Sequence, residues 1–547
     1  MNTSDAALPP LPLSVSSFKR LRELGMLYVD KTELICRLAQ IPAKFFLARP
    51  RRFGKSLLIS TLAALFDSGT LFFTGLAAAK LWHDKTYNVV RIDFSEVKNF
   101  QTLESFISRL HSRLAVFFEE AGFRFYPESS NDFMAQLSSW MKKQPIASLV
   151  LLIDEYDAPL TACLNNPALF ESVRSELNNF YALIKSNDEC LRFVFVTGIT
   201  KFNHTGIFSE LNDLTDISLF PEFGAIVGYT ERDIDNCFGG YIRQAALALN
   251  LPEAVVRNRL RDNYDGYCFD DAASVHVYST WSTLTFFSYP SRGFKNYWMG
   301  SGGKLTLLQQ YLHNHALQAP EDYANEKELS YDDLASSSDI DNINDVALLT
   351  QAGYLTIKRF NEDSYYVGYP NKEVADSLAK LYRNQLLQNQ SMDKVGAGDL
   401  ASAIRTGDVD RLFTAANHAF AAIDYQRHPI REEKHCQAFL QIFIAGAGFS
   451  VQSETHDALG RSDLEFDADN VHWVLELKYL SKGQSTAEVL LSDASQQIEK
   501  CRYGDASPRR LVRAAAVFSE ASRQFCCWKD VAATDASRQT MNALEPR

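Results

Sequence analysis

Arg461-Ser462-Asp463-Leu464-Glu465-Phe466, followed by Val474-Leu475-Glu476-Leu477-Lys478, decides how this chain is read. An acidic residue ends one apolar strand. On the next, Glu476 and Lys478 are two positions apart and share a face, because strand side chains alternate. Gly460-Arg461 reads as a turn that brings the chain in just before Asp463. Two carboxylates and an ammonium then converge on a small volume. A hard divalent cation and an attacking water need such a set for phosphodiester hydrolysis. Taken singly, Glu476 and Lys478 also fit a solvated ion pair on an edge strand, and Asp463 a turn residue. Val474, Leu475 and Leu477 argue instead for a buried strand, where charges need partners or a metal.

The flanks extend the pattern. Upstream, Glu433, or Glu432 by a one-residue slip, opens the amphipathic run Phe439-Leu440-Gln441-Ile442-Phe443-Ile444, which ends at Gly446-Ala447-Gly448-Phe449. Downstream, Asp493-Ala494-Ser495-Gln496-Gln497-Ile498 reads as a helix, then come Tyr503 and the strand Arg513-Ala514-Ala515-Ala516-Val517-Phe518. This order resembles the PD-(D/E)XK nuclease superfamily, with its D…(D/E)-x-K core in an αβββαβ fold. The resemblance implies Mg²⁺ on Asp463, Glu476 and the Leu477 carbonyl, with Glu433 completing the shell. It implies that Lys478 positions or deprotonates water, and that Gln497 orients Lys478 or the phosphate. Lys500, Arg502, Arg509, Arg510 and Arg513 lie close in sequence. They read equally as contacts to a DNA backbone and as a solvated basic face.

The 547 residues suffice for three or four domains. A hydrophobic share of 46% with 22% charged residues is that of an ordinary globular protein. The net charge of −12 speaks against a generally basic nucleic-acid binder, so DNA contact requires a local patch. Nine cysteines without a C-x-x-C pair indicate reduced thiols in a cytoplasmic protein and argue against zinc. The N-terminus lacks the pattern of a signal peptide, no apolar run is long enough for a bilayer, and no internal repeat is visible.

A second constellation lies near the start. The apolar strand Phe45-Phe46-Leu47-Ala48 runs into Arg49-Pro50-Arg51-Arg52-Phe53-Gly54-Lys55-Ser56 and then the helix Leu57-Leu58-Ile59-Ser60-Thr61-Leu62. Strand, loop ending in Gly-Lys-Ser and helix form a phosphate-loop context. Amides at the helix start face the anion, Lys55 reaches the outer phosphates and Ser56 holds Mg²⁺. Arg49 stands where the consensus has glycine, and Arg49, Arg51 and Arg52 offer phosphate charge instead. Ser148-Leu149-Val150-Leu151-Leu152-Ile153-Asp154-Glu155 reads as a buried parallel strand ending in two carboxylates. Asp154 would support Mg²⁺ and Glu155 polarise the attacking water. The strand Leu191-Arg192-Phe193-Val194-Phe195-Val196 ends at Thr197-Gly198-Ile199-Thr200-Lys201, where Thr197 would sense the terminal phosphate. With Val89-Val90-Arg91-Ile92-Asp93-Phe94-Ser95, these predict a parallel sheet with its site at the strand C-termini.

These motifs, with Tyr28-Val29-Asp30-Lys31-Thr32, Ile153-Asp154-Glu155-Tyr156-Asp157 and Ile207-Phe208-Ser209-Glu210-Leu211-Asn212-Asp213-Leu214-Thr215-Asp216, resemble the AAA-ATPase-like family, whose members typically carry a C-terminal PD-(D/E)XK domain. The resemblance spans nearly the whole chain, and the arginine-rich loop is that family's own variant. The expected class is α/β multidomain: a P-loop NTPase parallel sheet with a helical lid, a small winged-helix-like module and a restriction-endonuclease-like α/β domain. The expected divisions are 1–224 for the P-loop domain after a loose lead-in over 1–20, 225–315 for the lid, 316–342 for an acidic linker, 343–425 for the winged-helix-like part and helical connector, and 426–547 for the nuclease-like domain. Thr230 is expected to cap a helix. The aromatics of Tyr264-Asp265-Gly266-Tyr267-Cys268-Phe269 and Tyr297-Trp298 read as core.

The resemblance implies ATP and Mg²⁺ as cofactors, DNA as partner, no membrane, and a homo-oligomer in which a neighbour's arginine completes the ATPase site. Three activities compete: a nucleotide-gated DNA endonuclease with a role in defence against foreign DNA, a nucleotide-switched scaffold whose nuclease-like domain only binds nucleic acid, and a nuclease with a structural phosphate loop. The intact Asp463, Glu476, Lys478 set favours the first, and the intact Lys55, Ser56, Asp154, Glu155 set disfavours the third.

Overall fold

A computed structural model describes residues 8–531 except 129, 131, 200–212, 301–307, 309–319, 324, 336–343, 362–363, 387–396, 424, 426–427, 448, 450, 458–459, 482, 484, 502, 505–506 and 508. Thr200, Lys201, residues 207–212 of the family motif, Ser336, Ser337, Ser338, Gly448 and Arg502 therefore lie outside the described residues. The chain forms two compact units. One runs to His315 and resumes over Tyr323–Ser377; the other comprises Ala316–Asp322 and everything from Leu378.

The first unit is built on five parallel strands: β1 (Lys44–Ala48), β2 (Asn88–Asp93), β3 (Leu149–Asp154), β4 (Leu191–Gly198) and β5 (Leu214–Asp216), in spatial order β2-β3-β4-β1-β5. The unbroken apolar runs of β3 and β4 are explained by their central place, since β3 is buried throughout. The loop after β1 turns into helix Lys55–Ser68, which packs on β2 and β3.

Helices Glu231–Cys237, Gly239–Leu249, Glu253–Tyr264 and Thr280–Ser288 enclose a second core around Ile234, Phe238, Leu260 and Phe286. Thr230 caps the first of them in a reciprocal box with Asp233. Lys31 bridges to Asp233 at 2.5 Å, so the Tyr-Val-Asp-Lys-Thr motif ties the N-terminal segment to these helices. From Leu8 onward the lead-in is not loose. Leu8, Leu11 and Leu13 pack on the same core, and Phe18 is fully buried at the start of helix Phe18–Glu23. The proline- and leucine-rich composition hid this because the apolar partners come from over 200 residues away. Tyr264, Tyr267 and Trp298 are core, as read. Strands β6 (Tyr267–Cys268) and β7 (His276–Val277) form a short antiparallel pair.

The expected acidic linker holds a strand. Here β8 (Lys327–Ser330) joins β9 (Thr356–Asn361) and β10 (Ser364–Gly368) in an antiparallel sheet ordered β8-β10-β9. Its charges alternate with buried Leu329, so composition masked a one-sided strand. This sheet belongs to the first unit: Thr356 Oγ1 accepts from Cys268 N at 2.7 Å and donates to its carbonyl at 2.9 Å.

The second unit orders helix Glu433–Gly446, β11 (Val451–Asp457), β12 (Gly460–Ala468), β13 (Val471–Leu480), helix Ala487–Cys501, β14 (Arg510–Ser519) and β15 (Gln524–Asp530). The strands lie in sequence order, with β13 and β14 parallel and the other pairs antiparallel. Gly460 and Arg461 already belong to β12 and are not the turn expected of them. Helices Ala397–Thr406 and Val409–Ala421 pack on this unit: Trp473 Nε1 donates to Ile404 O at 2.8 Å, and Asn417 bonds both backbone groups of Phe525. The expected helical connector thus contributes two helices to the second unit.

Candidate functional sites

At the C-terminal end of β1 the loop curls around Lys55. Its Nζ donates to Arg49 O at 2.8 Å and Pro50 O at 3.0 Å. Arg52 and Gly54 have φ of +70° and +97°, which lets successive peptides face alternate ways. Burial brings the Lys55 ammonium down to about 8, against the pull of Asp154, Asp157 and Glu155. The Ser56 hydroxyl bonds Asp154, whose carboxyl is nonetheless pushed up by burial and by Asp93. Burial and the neighbouring carboxylates Asp154, Asp93 and Asp157 likewise raise Glu155, which sits at φ +50°. Beside them on β4 the Thr197 hydroxyl is buried without a hydrogen-bond partner among the described residues. The fold thus brings Lys55, Ser56, Asp154, Glu155 and Thr197 to one end of the sheet.

Arg49 departs from its expected role. Its guanidinium is buried, donating to Ala48 O at 2.8 Å, Ser218 O at 2.7 Å and Phe223 O at 3.4 Å, and it stacks on Phe269. Burial lowers it to about 10, and Asp216 and Asp270 partly compensate. It braces the loop's base and does not present charge to phosphate. Arg52 lies over the Trp281 ring, 4.4 Å from its centroid. Sequence reasoning passed over Asp157, whose buried Oδ1 has no hydrogen-bond partner among the described residues and whose Oδ2 accepts from Ile199 N. The signal was its place in the Ile-Asp-Glu-Tyr-Asp motif.

In the second unit, Glu476 is buried at the middle of the sheet. Asp463 Oδ2 accepts from Leu477 N at 2.7 Å, pinning β12 to β13. Lys478 Nζ lies 2.9 Å from Glu476 Oε1, 3.0 Å from Leu477 O and 3.6 Å from Glu433 Oε1. Glu433 therefore belongs to the cluster. Glu432 points elsewhere, largely exposed and 3.9 Å from His435. Burial, then Asp463 and Glu433, push the Glu476 carboxyl up to about 7, with Lys478 opposing. The same carboxylates raise Lys478 although burial works against it. Gln437, one turn after Glu433, donates Nε2 to Asp463 O at 2.5 Å; its i+4 spacing was the available signal. Gln497 is half-buried on helix Ala487–Cys501, and no hydrogen bond joins it to the cluster among the described residues.

Among the described residues, no three or more His, Cys, Asp or Glu side chains are grouped to hold a metal ion. The donor set is smaller, with two carboxylates and a backbone carbonyl. It suits an ion that keeps several waters, as Mg²⁺ does. Glu476 Oε2, buried without a hydrogen-bond partner among the described residues, fits such an ion. The Lys478 ammonium meanwhile contacts the same Leu477 carbonyl.

The basic stretch is largely engaged within the protein. Arg509 pairs with Asp467 at 2.5 Å, Arg510 donates to Thr406 O, and Arg513 donates to Tyr503 O. No helix among the described residues is long and apolar enough to cross a membrane. All nine cysteines are free.

Residues 12–208 match the family model described as "Predicted AAA-ATPase", and residues 431–528 match that of the PD-(D/E)XK nuclease superfamily. A protein of Azotobacter chroococcum mcd 1, described as an uncharacterized protein in the vnfD 5' region, is 30% identical over 507 residues, which is 90% of this chain and 93% of the relative.

Proposed function

The chain belongs to the AAA-ATPase-like proteins that carry a C-terminal PD-(D/E)XK nuclease superfamily domain, and from this premise we propose a nucleotide-gated, Mg²⁺-dependent DNA endonuclease. The observation that carries the nuclease reading is Glu476 Oε2, buried beside Asp463 and without a hydrogen-bond partner among the described residues. Asp463, Glu476 and the Leu477 carbonyl would hold Mg²⁺, which when bound supplies charge to stabilise a phosphorane-like transition state. Glu433 holds Lys478 toward the site, and the Lys478 ammonium orients water and the phosphate. At the other site Lys55, Ser56, Gly54 and the loop amides bind the ATP phosphates, Asp154 supports Mg²⁺ through Ser56, Glu155 orients water and Thr197 contacts the terminal phosphate. An apolar recess beside Gly54, lined by Val29, Leu57, Val227 and Tyr229, takes the base. The defence role and the oligomer rest on family analogy.

A second reading, a nucleotide-switched scaffold that binds nucleic acid without cutting it, is favoured by one feature. Lys478 already satisfies Glu476 Oε1 and the Leu477 carbonyl as an internal cation.

Plasmid and linear DNA with Mg²⁺, with and without ATP, test both. The wild type cleaves; Glu476→Ala abolishes cleavage; Lys55→Ala abolishes its dependence on ATP. ATP hydrolysis without any cleavage by the wild type would transfer support to the scaffold.

A further inference from the structure

The phosphate loop does not stand on its own residues. Trp298 Nε1 donates to Arg51 O at 3.2 Å, and Thr280 Oγ1 donates to Phe53 O at 3.2 Å. The Arg52 guanidinium between them rests on Trp281. No peptide bond among the described residues is cis. In a trans peptide the carbonyl and the following amide point in opposite directions. Drawing the carbonyls of Arg51 and Phe53 outward therefore turns the amides of Arg52 and Gly54 the other way. The positive φ of Arg52 and Gly54 permits this alternation, and amides turned to one side of a tight loop make an anion-binding hollow.

One buried carboxylate holds both gripping segments. Glu373 is fully buried and accepts from Ser282 Oγ and from Trp298 N, each at 2.7 Å. Ser282 lies one residue beyond Trp281 in helix Thr280–Ser288. Trp298 is itself fully buried, with its ring against Tyr354 at a centroid distance of 5.1 Å. These residues lie in the same compact unit as the loop.

We propose that Thr280 and Trp298, pinned together by Glu373, are positioning residues that set the amides of Arg52 and Gly54 for a polyphosphate. This rests on the reading of the loop as a nucleotide site. The ligand class is the triphosphate chain and not the base, because the grip acts on amides that meet phosphate oxygens.

The test measures binding of ATP and of inorganic tripolyphosphate, with Mg²⁺, to the full chain by calorimetry. Thr280→Val keeps shape and removes the donor. Trp298→Phe keeps a ring and removes the indole N–H, and Glu373→Gln weakens the pin. Losing one such hydrogen bond lowers affinity by about five- to tenfold, and by the same factor for both ligands. Thermal unfolding of Thr280→Val stays close to that of the wild type, which separates positioning from folding even if Trp298→Phe is unstable. Trp298 emission responds to tripolyphosphate in the wild type, and Trp298→Phe lacks that component. Wild-type affinity for tripolyphosphate in a folded Thr280→Val, with no Trp298 component in the emission response, overturns the inference and leaves the nucleotide site standing. A wild type that binds neither ligand overturns the nucleotide reading and the inference with it.

Discussion

Lys55 lies with its ammonium on two loop carbonyls, and burial brings its pKa down to about 8. A polyanion binds the protonated form. Above pH 8 the free protein has to take up a proton on binding, so nucleotide affinity falls by up to about tenfold per pH unit. Calorimetric titration of ATP at pH 7, 8 and 9 checks this, and Lys55→Arg should flatten the profile. Glu476 is displaced upward, to about 7, because its charged form is buried among carboxylates. Its folded value exceeds the ordinary 4.5. The folded form thus binds the extra proton, and its contribution to stability is present below that ordinary value and lost as pH rises through 7. A divalent cation competes with that proton. Metal affinity should therefore drop about tenfold per unit below pH 7, and Glu476→Gln should remove both the binding and its pH dependence, as Ca²⁺ or Mg²⁺ calorimetry at pH 6 and 8 would show.

At the scale of elements, two glycines show how closely the first unit is assembled. Gly266, at φ +90°, leaves a would-be Cβ 2.2 Å from Pro370 O, so the Tyr-Asp-Gly-Tyr turn admits no side chain. Gly353, at φ +83° after helix Asp345–Gln351, would place a Cβ 2.6 Å from the Pro50 ring of the phosphate loop. Gly353→Ala should cost about 2–4 kcal/mol, from the left-handed backbone and the displaced ring. Denaturant unfolding measures the cost, and an unchanged midpoint would rule out this contact as a constraint. Helix Asp345–Gln351, the glycine that ends it and β9 are a pattern written in neighbouring residues. That the stop abuts Pro50 is not written there, because the two residues are 303 positions apart.

Across the whole molecule, the readable parts were those encoded by neighbouring residues. Strand alternation alone put Glu476 and Lys478 on one face, and an apolar run followed by Gly-Lys-Ser led into the phosphate loop. The same local logic misjudged Arg49, whose partners Ser218 and Phe223 come from beyond β5. In the basic stretch Arg509 and Arg510 stay exposed, as a solvated face requires, and only the structure shows that Asp467 and Thr406 engage them. The linker and lead-in were misread because composition does not show that Leu329 pairs with Tyr365 in a sheet, or that Leu8 packs against a helix more than 200 residues away. The amino-acid order by itself determined two α/β folds and the chemical groups each can bring to a phosphate. Only the tertiary structure decided which charges face those sites, which brace the backbone, and that Thr280, Trp298 and Glu373 hold the phosphate loop. Burial and hydrogen bonding between remote segments choose among orientations that local sequence leaves equally open.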